Sequence, residues 1–174
     1  MDAVLERARG VRLMLFDVDG VLTDGRLYYN DAGEELKAFS SLDGHGIKML
    51  MASGIDTAIL TGRRSRVVEH RAKNLGITHV LQGVEDKGSA FLGLVDVLKL
   101  DPSRCGYMGD DVVDLPVLRR CGFAVTTRES SELMQRHAHF VATRPAGAGA
   151  AREVCELIMR AQGTLDAALA SYLA

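Results

Sequence analysis

Leu13-Met14-Leu15-Phe16-Asp17-Val18-Asp19-Gly20-Val21-Leu22-Thr23-Asp24 decides how this chain is read. An apolar run stops at two carboxylates one residue apart, with a glycine directly behind them. Residues 11–16 predict a buried parallel strand, because an apolar run of that length ending in polar and Gly punctuation fits one. Asp17 then stands at the strand's carboxyl end, where open α/β sheets form their ligand crevice. Two acids beside a glycine that lets the backbone approach a ligand can hold a hard cation and leave one carboxylate free to attack. A calcium loop fits poorly, since the EF-hand pattern wants a third acid or amide before its Gly and a Glu six residues later. Here Gly20 follows the second acid at once, and Arg26 stands where that Glu belongs. An ordinary Asp/Gly turn accounts for one acid and the glycine, but not for the polar groups further along.

Beyond this run, residues 25–39 alternate loosely around Asn30-Asp31-Ala32-Gly33, which predicts a hairpin. Residues 46–53 predict a short helix and 57–60 a second core strand. Residues 65–75 place Val67, Val68, Ala72 and Leu75 on one helical face, closed by Gly76. A strand at 79–81, a helix at 87–100, a strand at 105–108 and a helix at 112–121 follow. Then come a strand at 123–125, a helix at 130–137 and a strand at 140–141. Residues 148–162 read as an amphipathic closing helix, with 164–174 continuing it or fraying beyond Gly163. The alternation predicts an α/β fold, a doubly wound parallel sheet with helices on both faces, in one domain over residues 1–174. Residues 25–39 would form a hairpin flap, and 144–174 a C-terminal tail and helix.

The chain has 174 residues, 47% hydrophobic and 25% charged, enough to bury a real core. A net charge of −2 offers no basic field, which argues against nucleic acid or an acidic membrane as main partner. Cys105, Cys121 and Cys155 are odd in number and unpaired in spacing, so they read as small core residues in a reducing compartment. No signal-peptide core opens the chain and no later stretch spans a bilayer, which predicts a soluble, cytoplasmic protein.

Three further strand ends deliver polar groups. Strand 57–60 runs into Thr61-Gly62-Arg63, a hydroxyl, a flexible glycine and a guanidinium suited to an anionic oxygen. Lys87 opens a helix, from which an ammonium can reach a phosphoryl group. Strand 105–108 runs into Gly109-Asp110-Asp111, with Asp114 one turn later. In a parallel sheet these ends share one edge, which collects Asp17, Asp19, Thr61, Lys87 and Asp110. That set combines acids for a cation with donors for a phosphate. His137 and His139 lack a third ligand and read as a helix-to-strand turn; His45 and His70 are not needed for such chemistry.

Taken together and in this order, these strand-end motifs make the chain resemble the haloacid dehalogenase superfamily of phosphotransferases over essentially its whole length. The resemblance implies that Asp17 attacks phosphorus to form an aspartyl-phosphate, while Asp19 serves as acid and then base. It implies Mg²⁺ held by the Asp17 carboxylate, the Asp19 main-chain carbonyl and Asp110. Thr61 and Lys87 would stabilise the transferring oxygens, with Asp111 and Asp114 behind them as supports. The 17–61 and 61–110 intervals leave no room for a cap domain. Asp17-x-Asp19-Gly20-x-Leu22-Thr23-Asp24, Lys37-x-Phe39, Asp43-Gly44-x-Gly46-Ile47, Thr61-Gly62-Arg63 and Gly147-x-Gly149-Ala150-x-Arg152-Glu153 narrow the resemblance to the 3-deoxy-D-manno-octulosonate 8-phosphate phosphatases. From that family follow a phosphorylated sugar acid as substrate, a role in lipopolysaccharide precursor synthesis, and a homotetramer whose hairpins meet around an axis. Substrate contacts would fall on Asp19, on the loop Ser40, Ser41, Leu42, Asp43 and Gly44, and on Lys48, Arg63, Arg71 and Lys87. The Gly147-x-Gly149 stretch resembles a tail reaching a neighbour's site, with Arg144 or Arg152 as contacts. Rival readings are a phosphatase for a nine-carbon sugar acid 9-phosphate, an assembly module, or a receiver-like phosphorylation switch.

Overall fold

The computed structural model describes residues 2–173. In chain order the elements are α1 (Asp2–Gly10), β1 (Leu13–Phe16), β2 (Tyr28–Tyr29), β3 (Glu35–Leu36), α2 (Ser41–Ala52), β4 (Asp56–Leu60) and α3 (Arg66–Leu75). Then follow β5 (His79–Leu81), α4 (Lys87–Val97), β6 (Cys105–Met108), α5 (Leu115–Leu118), β7 (Phe123–Thr126), α6 (Glu132–His137), β8 (Phe140–Val141), α7 (Ala150–Gln162) and α8 (Leu165–Leu173). Single 3₁₀ turns occupy Pro102–Arg104 and Val112–Asp114.

Six strands form one sheet in the order β5-β4-β1-β6-β7-β8, and every pairing in it is parallel. The period-2 geometry of a strand divides the central β1 between two cores. Met14 and Phe16 join one cluster with Ile47, Leu50, Val154 and Ile158 from α2 and α7. Leu13 and Leu15 join the other, with Phe91 of α4, Val117 of α5 and Met134 of α6. Helices therefore cover both faces, and all four β1 side chains are buried. The chain leaves β1 toward β4 and β5, then returns to add β6, β7 and β8 on the opposite side. The topological switch falls between β1 and β6, where such sheets open a crevice beyond the strands' carboxyl ends.

The hairpin between β1 and α2 is short: Tyr28 pairs with Leu36 and Tyr29 with Glu35, antiparallel. It stands apart from the main sheet, and its Leu27, Tyr28, Tyr29 and Leu36 are exposed.

Several boundaries differ from the sequence expectation. α2 begins at Ser41, five residues before the expected start, because Ser40 caps it by accepting the Asp43 N–H. The expected 112–121 helix is a 3₁₀ turn followed by four residues of α helix; Asp111 and Asp114 cap the 3₁₀ turn reciprocally, and Pro116 sits in the first turn of α5. Beyond Gly163, which takes a left-handed φ of 71° and ends α7, the chain forms the separate helix α8. α1 was not foreseen.

Candidate active site

Asp17 and Asp19 follow β1, Thr61 and Arg63 follow β4, Lys87 opens α4, and Asp110 follows β6. All six line one cleft of about 580 Å³ at the switch point. The sheet edge thus collects the groups as the strand-end reading expected. Asp111 lines the cleft too, whereas Asp114 lies behind it, fully buried.

Asp17 is held on both oxygens. Oδ1 accepts the Val18 N–H at 2.7 Å, and Oδ2 accepts Lys87 Nζ at 2.8 Å. Lys87 also donates to Asp114 Oδ1 at 2.6 Å, and that oxygen takes the Tyr107 hydroxyl as well. Asp114 Oδ2 accepts the N–H groups of Asp110 and Asp111 at 3.0 and 3.2 Å. One ammonium therefore sits between two carboxylates, each already fixed by the backbone. Burial works against the charge on Lys87, but Asp17 and Asp114 outweigh it and hold its pKa above the ordinary value. Burial and then the neighbouring Asp114 push Asp17 up to about 6, against the opposing pull of Lys87.

Asp17, Asp110 and Asp114 each offer a carboxylate oxygen within 4.8 Å of the other two. Asp114 has its oxygens committed to four donors, so it braces the site rather than ligating. Asp110 is different: among the described residues no hydrogen bond reaches its carboxylate. Burial and then repulsion from Asp17 and Asp114 push it up to about 7. The Asp19 carbonyl also accepts no hydrogen bond among the described residues. Hard oxygen donors carrying unrelieved negative charge suit Mg²⁺. Gly20 makes the arrangement possible: a Cβ there would lie 2.0 Å from Asp110 Oδ2, and its φ of 84° favours glycine in any case.

Asp19 is bound from the other side. Its Oδ1 takes Lys37 Nζ, and its Oδ2 lies 3.6 Å from Arg63 Nε. Arg63 further donates to the Tyr29 hydroxyl and to Glu35 Oε1, the latter at 3.2 Å. The main-chain N–H and C=O of Thr61 are tied to Leu81 and Val84, which holds the peptide while the side chain lines the cleft.

Other predicted contacts lie elsewhere in the chain. Ser41, Leu42, Asp43 and Gly44 form the first turn of α2 rather than a loop, and Lys48 is exposed on that helix. The Asp43 carboxylate is turned inward, accepting the N–H groups of Gly149 and Arg152 at 3.2 and 2.9 Å. It therefore anchors α7. Arg71 Nη2 donates to the Ser40 carbonyl at 3.0 Å, and its guanidinium lies over Phe39. None of these residues lines the Asp17 cleft. The Gly147-x-Gly149 stretch is likewise no free tail: Gly147 N–H donates to Val21 O at 3.0 Å, and α7 behind it is core. His139 Nδ1 accepts the Ala124 N–H, as a helix-to-strand turn would have it. Lys37, Glu35 and Tyr107 carry polar contacts at the site to which no role was given from sequence. Tyr107 was hidden inside a strand, where a buried phenol reads as core.

A family model described as haloacid dehalogenase-like hydrolase matches residues 27–122. That span begins after Asp17 and Asp19. A 3-deoxy-D-manno-octulosonate 8-phosphate phosphatase of Yersinia pestis is 46% identical over 167 residues, 96% of this chain and 89% of its own. The crystal structure of the Moraxella catarrhalis enzyme of that name, in complex with a magnesium ion, a phosphate ion and KDO, is 43% identical. It superposes with a TM-score of 0.97 over 99% of both chains. The cobalt-bound deoxy-D-mannose-octulosonate 8-phosphate phosphatase of Haemophilus influenzae is 36% identical, with a TM-score of 0.89 over 92% of this chain and 94% of that one. With strand ends, acids and lysine arranged as above, this chain belongs to the haloacid dehalogenase-like hydrolases, in the family of the 3-deoxy-D-manno-octulosonate 8-phosphate phosphatases.

Proposed function

We propose that the chain is a Mg²⁺-dependent phosphomonoesterase acting on 3-deoxy-D-manno-octulosonate 8-phosphate in lipopolysaccharide precursor synthesis. The observation that carries the chemistry is Asp17 fixed by Val18 N–H and Lys87 in an open cleft, with Asp19 two residues on and held separately. An Asp17 oxygen attacks phosphorus as the bond to the sugar oxygen breaks, leaving an aspartyl-phosphate. Asp19 gives its proton to the departing alkoxide, then takes one from the water that attacks the acyl phosphate and frees Asp17. Lys87 and Thr61 face the transferring oxygens and offset their charge. Asp17, Asp110 and the Asp19 carbonyl would hold Mg²⁺, which supplies positive charge between the anionic nucleophile and the anionic substrate. Arg63 extends from the same cleft wall as a partner for the substrate's phosphate or carboxylate.

The exposed Ser41, Leu42 and Lys48, with Arg71, would serve a neighbouring subunit's cleft, which gives them a place in a homotetramer, while Asp43 holds their turn to α7. The hairpin's exposed Leu27, Tyr28, Tyr29 and Leu36 support assembly at that end of the molecule. No helix among the described residues is long and apolar enough to cross a membrane. Three buried thiols fit a reducing, cytoplasmic setting.

The test is phosphate release, with Mg²⁺ and with chelator, from the eight-carbon acid phosphate, its nine-carbon 9-phosphate analogue and hexose phosphates. Mg²⁺-dependent preference for the eight-carbon acid is expected. Preference for the nine-carbon compound, or a flat profile, withdraws the named substrate. No release at all would favour an assembly or switch module.

A further inference from the structure

Lys37 follows β3, and its side chain is only 1% exposed, although no step above uses it. Burying an ammonium costs several kcal/mol, of order, unless carboxylates pair with it. Two do: Asp19 Oδ1 from the loop after β1, and Glu35 Oε1 at 3.2 Å from β3. Arg63, from the loop after β4, faces the same pair, 3.6 Å from Asp19 Oδ2 and 3.2 Å from Glu35. The hairpin exposes its apolar side chains to solvent and sends this polar cluster inward. Lys37 is thus a direct polar link between the hairpin and the acid two residues beyond Asp17.

That acid has two competing destinations. It sits beside the oxygens suited to Mg²⁺, and a free carboxylate there would swing onto a cation and be lost to proton transfer. A fixed ammonium on Oδ1 blocks that swing and leaves Oδ2 toward Arg63 in the cleft wall. We propose that Lys37 is a positioning residue for Asp19, holding one carboxylate oxygen on the hairpin side so that the other is presented to the leaving oxygen. The position of the hairpin then sets the geometry of proton transfer. This rests on Asp19 being the acid and base of the reaction.

The test is Mg²⁺-saturated turnover of the preferred phosphomonoester by Asp19→Asn, Lys37→Met and the double variant, beside the unaltered enzyme. Asp19→Asn should lower kcat by roughly 10²–10⁴-fold, the usual worth of general acid–base catalysis. Lys37→Met should lower kcat about tenfold or more, with KM and half-saturating Mg²⁺ within about threefold, and the double variant should be no slower than Asp19→Asn alone. A crystal structure of Lys37→Met should show the Asp19 carboxylate turned from its place. Lys37→Gln is expected to show the same pattern and replaces Lys37→Met if that variant melts early. Unchanged kcat in the Lys37 variants, an unmoved Asp19, or losses that multiply in the double variant would each overturn the proposal. Asp19→Asn at full turnover would instead remove the acid–base reading beneath it, a result plainly different from a slow Asp19→Asn beside a fast Lys37→Met.

Discussion

Lys87 Nζ lies 2.6 Å from Asp114 Oδ1, and both side chains are buried. Asp114 never touches the cleft, yet it sets where the Lys87 ammonium stands relative to Asp17. It also receives the N–H of Asp110, so the same carboxylate braces both sides of the candidate cation site.

Asp114→Asn should therefore be severe despite its small change in shape. An amide accepts on one end only, and its NH₂ would face either Lys87 and Tyr107 or the two backbone N–H groups. Breaking such a buried pair typically costs about 3–5 kcal/mol. Thermal unfolding should show that loss, with a drop in turnover in the protein that remains folded. Tyr107→Phe removes one donor of four, and should cost nearer 1 kcal/mol. Similar melting points for the two variants would show that Asp114 is not the brace described.

Metal and pH should act on stability in linked ways. Asp17 and Asp110 release their protons near 6 and 7 in the folded chain, against an ordinary 3.8. Between roughly pH 4 and 7 the folded state binds more protons than the unfolded chain, so stability falls as pH rises through that window. Carboxylates with lowered pKa, such as Asp24, contribute the opposite slope only below it. His139, lowered by burial, opposes it inside the window as one group against two, and Lys87, raised, adds the same sign of slope but only well above. In chelator the melting temperature should decline from pH 5 to pH 8. At pH 8, Mg²⁺ at a hundredfold excess over its Kd should restore about 2.7 kcal/mol. A chelated protein that melts higher at pH 8 than at pH 5 would contradict this electrostatic picture.

The cleft was legible because each of its groups sits where an apolar strand ends, and a parallel sheet gathers such ends by geometry. What stayed hidden was held by contacts between distant segments. α1 buries Ala8 fully and packs only Val4 and Leu5 beside it, a short stripe that does not stand out in the sequence. It is tied down by Arg9 on the Ala161 carbonyl, and by Gln162 on the carbonyls of Ala8, Arg9 and Val11. The first turn of α2, capped by Ser40, lies before the expected 46–53 helix and was read there as a loop. Gly46 is there for packing: a Cβ would fall 2.6 Å from Arg152 Cδ and 2.9 Å from its Cα, where α7 crosses. Lys37 lay in a hairpin whose inward face only the fold defines.

Asp43→Asn separates a structural role from a contact with substrate. Both Asp43 oxygens accept N–H groups at the start of α7, and an amide cannot serve both. Leaving such a donor unmet costs about 1–3 kcal/mol. The variant should melt earlier while keeping its KM within about twofold, since a lost hydrogen bond off the substrate leaves ground-state binding alone. A large rise in KM at unchanged melting temperature would instead put the carboxylate itself on the substrate.

Gly20→Ala tests the cation site without altering a single acid. The new methyl would meet Asp110 Oδ2 at 2.0 Å, and Asp110 must rotate or the 17–24 loop must shift. The left-handed φ of 84° adds strain of about 1–2 kcal/mol for any L side chain. Either movement separates Asp110 from Asp17, so the loss should appear first as a higher Mg²⁺ requirement. We expect half-saturating Mg²⁺ to rise at least about tenfold, which corresponds to about 1.4 kcal/mol of binding. The fold should survive, because Gly20 lies outside the strands and its loop neighbours Val18, Val21 and Leu22 keep their places in the core. Titrating turnover against Mg²⁺ reads the effect directly, and a variant that saturates at the unaltered Mg²⁺ concentration would mean Asp110 does not hold the ion.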